Sequence, residues 1–124
     1  MNQQIKSTKV PAAIGPYSHA IRSGSTVYVS GQIGINLQDG KMPDDVSSQA
    51  RQAISNLAAI LEAAELSLGD VVKTTVYLAD MDDFAAINAV YAECFSEPHP
   101  ARACFQVARL PLDAKFEIEA IASR

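Results

Sequence analysis

The chain has 124 residues, and ten Lys and Arg against fourteen Asp and Glu leave a net charge of −4, with a pI near 5.0. A chain of this size buries about 60–70% of its unfolded surface around one core, so a single domain over 1–124 is expected. The acidic balance and the lack of basic runs speak against a surface that tracks nucleic-acid phosphates, and no apolar run reaches membrane-spanning length.

Hydrophobic residues make up 48% of the chain but aromatic ones only 6%, with no Trp. Much of the apolar content is Ala, which buries little area per residue, so completion of burial at a subunit interface is expected. Cys94 and Cys104 form no C-x-x-C pair, and neither His19 nor His99 stands at a metal-ligand offset. No metal and no cofactor are expected. The N-terminus has no charged-then-apolar signal pattern, which suggests a reducing, cytoplasmic location with two free thiols.

Gln3 to Ser7 reads as a short first strand with Ile5 as its one strongly apolar member. Two prolines and a glycine then make Val10–Ala20 an ordered, irregular loop. Within it Gly15-Pro16 presents Tyr17 from a stiff support. Its ring could plug the edge of the core or face a ligand. Ala20–Ser23 and Thr26–Ile33 read as a hairpin across Ser23-Gly24-Ser25. Gly31 inside the second strand marks either a plain β-bulge at Ser30-Gly31 or a place where a ligand meets the backbone.

After a polar turn around Asp39-Gly40, Asp45 is the expected N-cap of a helix. Its apolar positions, Val46, Ala50, Ala53, Ile54, Leu57, Ile60, Leu61 and Ala64, recur at helical steps, with Gln49, Arg51, Gln52, Asn56 and Glu62 covering the rest. Val71–Leu78 is a strand, β-branched almost throughout, and Asp80 is the expected cap of a second helix. That helix carries a stripe of Phe84, Ile87, Asn88, Tyr91 and Phe95. A buried Asn88 amide needs partners, either nearby backbone or a ligand at a pocket wall.

Pro100–Arg109 and Phe116–Ala122 read as two further strands, expected to form a hairpin across Leu110–Asp113. Arg102, Cys104 and Gln106 share one face of the first, and Glu117 and Glu119 share one face of the second. Whether Arg102 and Glu119 point to the same side depends on the register, which a one-residue slip reverses. The order of elements predicts an α+β domain with two helices packed on one face of a mixed sheet.

Several segments carry a resemblance: Gly15-Pro16-Tyr17-Ser18, Val29-Ser30-Gly31-Gln32, Val72–Leu78, Asp83-Phe84, Asn88, Pro100-Ala101-Arg102-Ala103-Cys104, Ala108-Arg109-Leu110-Pro111 and Ile118–Ala122. In this order they resemble the signatures of the reactive-intermediate deaminase family (RidA, also called YjgF), over almost the whole chain. The resemblance implies a chorismate-mutase-like fold, a homotrimer, and active sites in clefts between subunits. It further implies hydrolysis of 2-imino or enamine acids, released by pyridoxal-phosphate dehydratases, to 2-oxo acids and ammonia. On it, Arg102 would hold the substrate carboxylate and Glu119 would position water, while Tyr17, Ser30, Gly31, Asn88 and Cys104 would line the cleft. The chain departs from the family pattern at His19, where Gln is common, and at His99. A bidentate guanidinium suits a carboxylate, and a carboxylate can orient water onto a C=N carbon. Rival functions are an endoribonuclease or translation inhibitor, a non-catalytic 2-oxo-acid sensor, and a redox-responsive chaperone using Cys94 and Cys104.

Overall fold

A computed structural model describes all residues, 1–124. Eight main elements follow in chain order: β1 (Gln3–Ile5), β2 (Ala20–Ser23), β3 (Thr26–Ile33), α1 (Val46–Ala63), β4 (Val71–Leu78), α2 (Phe84–Cys94), β5 (Ala101–Gln106) and β6 (Phe116–Ser123). They build one six-stranded mixed sheet in the order β1-β2-β3-β6-β4-β5. Both helices pack on one face of it, as the alternation of apolar strands and amphipathic helices predicts.

The expected hairpin between the last two strands does not form. β5 pairs parallel with β4, and β6 lies between β3 and β4, antiparallel to both. Burial explains the arrangement. Phe116, Ile118, Ala120 and Ala122 are all buried, the pattern of a strand flanked on both sides, whereas β5 alternates between exposed and half-buried residues and suits an edge. The chain reaches β5 from β4 through α2, the crossover that a parallel pair requires. Between β5 and β6, a turn at Pro111–Asp113 puts Leu112 and Asp113 in left-handed backbone, each with φ of 55°. β1 ends at Ile5, short of the expected Ser7, and β5 ends at Gln106.

The Asp45 side chain accepts from the Ser48 N–H at 2.9 Å and caps α1 as expected. Asp80 caps a one-turn 3-10 segment, Met81–Asp83, that runs into α2. Two polar residues of α1 expected at its surface are buried instead. Gln49 donates to the Pro43 carbonyl and accepts from the Lys115 N–H, both at 2.8 Å. Asn56 donates to the carbonyls of Ile33 and Ile35 at 3.3 and 3.0 Å. These amides stand in for sheet partners where β3 leaves the ladder, so their burial is compensated. The same junction is tight, because a Cβ on Gly34 would lie 2.4 Å from the Gln49 carbonyl oxygen.

The other face of the sheet has no helix over it. Tyr28 and Phe105 stand about half-exposed there, with Lys73, Thr75, Tyr77, Glu117, Glu119 and Ile121 on the same side by register.

Candidate active site

The sequence-predicted residues fall into two groups, one on each face of the sheet. The first forms around a bulge in β3. The register against β6 shifts between Val29 and Gln32, so Ser30-Gly31 is a β-bulge. The Ser30 N–H donates to the His19 carbonyl at 2.9 Å, and its hydroxyl donates to the Ser18 carbonyl at 2.6 Å. Ser30 thus fixes the end of the loop that carries Tyr17. Tyr17, Gly31 and Glu117 then meet at a cavity of about 130 Å³, whose other walls include Ile14, Ile35 and Leu112. The backbone at Gly31 lies so close to Glu117 that an added Cβ would sit 2.7 Å from Oε2.

Glu117, which the sequence reading did not single out, is the acid at this cavity. Burial first, and the neighbouring Glu119 carboxylate second, raise its pKa above the ordinary glutamate value. Glu119 lines a separate depression with Lys73 and Thr75, and its carboxylate accepts a hydrogen bond from the Tyr77 hydroxyl. That bond pushes the Tyr77 phenol up to about 12. Glu117 and Glu119 share a parity, so alternation alone treats them alike. The available signal was Gly31, whose missing side chain leaves room for one acid on the adjacent strand.

The second group gathers around Arg102 on β5. Its guanidinium carbon lies 4.8 Å from the Tyr91 ring centroid and 5.6 Å from that of Phe84, and Nη1 donates to Asn88 Oδ1 at 2.8 Å. Tyr91 is itself fixed by a 2.7 Å hydrogen bond between its hydroxyl and Thr74. No carboxylate of the chain pairs with Arg102. The guanidinium is held by two aromatic faces and one amide, and its charge has no acid partner within the chain. Asn88, Tyr91, His99 and Arg102 line a cleft of about 340 Å³. Cys104 follows on the same face, and burial raises its thiol pKa while Arg102 pulls the other way. The thiol is therefore protonated at neutral pH and is a poor nucleophile.

Within one chain the two groups do not share a cavity. Arg102 pairs with Thr74, which is buried beneath α2, while Glu117 and Glu119 pair with Tyr77 and Thr75 on the open face. Arg102 and Glu117 are also separated by two strand spacings, about 10 Å, and by about three residues along the strands, again about 10 Å. No cluster of three or more His, Cys, Asp or Glu side chains could hold a metal ion, and no helix is long and apolar enough to cross a membrane.

Residues 7–124 match the family described as Endoribonuclease L-PSP. The chain is 50% identical to the 2-iminobutanoate/2-iminopropanoate deaminase of Escherichia coli strain K12, over 100% of this chain and 99% of that one. Among solved structures it resembles E. coli TdcF with bound serine, with a TM-score of 0.93, 49% identity and 98% of each chain covered. It also resembles an Entamoeba histolytica protein described as a putative endoribonuclease L-PSP, with a TM-score of 0.96, 42% identity and 100% of each chain covered. Full-length identity at this level, together with the close structural match, establishes that the chain belongs to the reactive-intermediate deaminase (RidA/YjgF) family.

Proposed function

We propose that the protein hydrolyses 2-imino acids and their enamine tautomers, of the kind released by pyridoxal-phosphate dehydratases, to 2-oxo acids and ammonia. The reaction takes place where two protomers of a homotrimer meet, with the Arg102 group of one facing the Tyr17–Gly31–Glu117 group of the next. The observation that carries the reading is the Arg102 guanidinium, pinned by Tyr91, Phe84 and Asn88 yet without an acid partner. A carboxylate bound there as a bidentate pair gains charge-assisted hydrogen bonds worth about 1.5–3 kcal/mol each.

The opposite wall supplies the chemistry. A water between Glu117 and the substrate gives its proton to the carboxylate as its oxygen bonds to C2 of the iminium group. The C=N π electrons pass to nitrogen, forming a carbinolamine. Glu117 then returns the proton to nitrogen and the C–N bond breaks as ammonia leaves. The hydroxyl gives its proton back to the Glu117 carboxylate as its oxygen becomes the keto oxygen, and Glu117 passes that proton to the departing ammonia as ammonium. The raised pKa of Glu117 makes it a stronger base than an ordinary glutamate. The resemblance gave the water-positioning role to Glu119. The proximity of Glu117 to Gly31 and the bond from Tyr77 to Glu119 favour Glu117 instead, with Glu119 acting on it through charge. Tyr17 covers the cavity, Ser30 holds the loop beneath it, and Cys104 contributes through its backbone.

The uncovered sheet face supports the trimeric part of the reading, since Tyr28 and Phe105 stand exposed there and Arg102 and Glu117 cannot meet in one chain. A cytoplasmic site of action and independence from cofactors belong to the same reading. The deciding experiment adds the protein to a dehydratase, its amino-acid substrate and semicarbazide. The purified protein should suppress semicarbazone formation in proportion to its concentration, and the Arg102→Ala protein should not. Equal suppression by both would refute the role of Arg102.

A further inference from the structure

His19, one of the chain's departures from the family pattern, is buried with 5% of its surface exposed. Both ring nitrogens are engaged by backbone. The Ser7 N–H points to Nδ1 at 3.2 Å, and Nε2 lies 3.0 Å from the Pro11 carbonyl oxygen. A backbone amide can only donate, so Nδ1 carries no proton, and the neutral ring donates its single N–H from Nε2 to Pro11. The imidazole therefore ties two points of the N-terminal segment to the start of β2. Tyr17 lies within the loop so closed, and the Ser30 bonds to His19 and Ser18 fix its far end.

We propose that His19 is a positioning residue for the reaction above. As the Nε2–H tautomer it holds the Tyr17 loop over Gly31 and Glu117, and loss of either ring bond leaves a buried backbone group at Ser7 or Pro11 without its partner. The charged and titratable groups around the ring are Lys6 and Tyr17 on the loop side and Glu117 across the cavity. No carboxylate bonds to either ring nitrogen. Glutamine at this position could accept from Ser7 and donate to Pro11, and leucine could do neither. The effect on turnover rests on the deaminase reading, whereas the latch itself does not.

The test compares wild type with His19→Gln and His19→Leu at neutral pH. His19→Gln should restore both backbone bonds and keep kcat/KM within about threefold of wild type, whereas His19→Leu should fall about tenfold. A His19→Leu protein as active as wild type would overturn the proposal. A second measurement needs no turnover: the hydrogen-exchange protection of the Ser7 amide should be kept in His19→Gln and lost in His19→Leu. Unchanged Ser7 protection in His19→Leu would sink the latch. Absence of turnover with the Ser7 response intact would instead sink the deaminase reading and leave the latch standing.

Discussion

Gly31 and Glu117 face each other across β3 and β6 so closely that a methyl group at position 31 would meet the Glu117 carboxylate 2.7 Å away. The atom it meets is the end of a flexible side chain, so Gly31→Ala should move the acid more than it unsettles the fold. The expected result is kcat/KM lowered by about one to two orders of magnitude, with Tm within a few degrees of wild type. Thermal unfolding alongside steady-state kinetics reads both.

Glu117 and Glu119 should separate in their pH behaviour. Glu117→Gln should lose roughly 100-fold or more in kcat, the usual scale for a general base. Glu119→Gln should remain active, with the acid limb of kcat/KM moved to lower pH. The sign follows from the neighbouring charge: Glu119 raises the Glu117 pKa, so removing its charge lets Glu117 ionise sooner, though burial keeps it above the ordinary value. An unmoved limb would remove Glu119 from the account.

The same raised pKa fixes a trend in stability. The native state holds the Glu117 proton more tightly than the unfolded chain does, so this residue makes the fold less stable as pH rises from the ordinary value of 4.5 through its raised one. Glu117→Gln should abolish that contribution and be the more stable protein at neutral pH. Urea melts at acid and neutral pH would display the crossover.

Arg102→Lys should fail nearly as badly as Arg102→Ala in turnover, because an ammonium keeps the charge but not the planar fork or the stacking on Tyr91. Loss of that stacking should cost about 0.5–2 kcal/mol of stability, too little to unfold the domain. Circular dichroism and chemical denaturation check the fold beside the kinetics.

Phe105→Asp places a charge on the uncovered face, beside Tyr77, whose ring it meets edge-on at a centroid distance of 5.2 Å. Sedimentation should report a trimer for wild type and smaller species for the variant, with activity lost in parallel. A fully active monomer would contradict a cleft shared between protomers.

Much of this architecture was legible in the sequence because it depends on local chemistry. The Asp45 cap, the periodicity of α1 and the β-branched run of β4 each declare themselves within a few residues. What failed was long-range. Alternation fixes which residues share a face of a strand but not which strand lies beside it, so β5 and β6 were read as a hairpin although β4 lies between them. Gln49 and Asn56 looked like surface amides because nothing nearby reveals the carbonyls of Pro43, Ile33 and Ile35 that they serve. Glu117 and Glu119 look alike along β6 for the same reason, since Gly31 and Tyr77, which give them different surroundings, act from other strands.

The position of β6 constrains how the molecule is made. This strand is synthesised after both of its neighbours, yet it joins β3 to β4. Until it emerges from the ribosome, the nascent chain has an N-terminal meander and a β4–α2–β5 unit with two unsatisfied edges and no seam between them. Cooperative folding must therefore wait for the closing strand, and a message cut short before Phe116 would yield a product that quality-control proteases should clear.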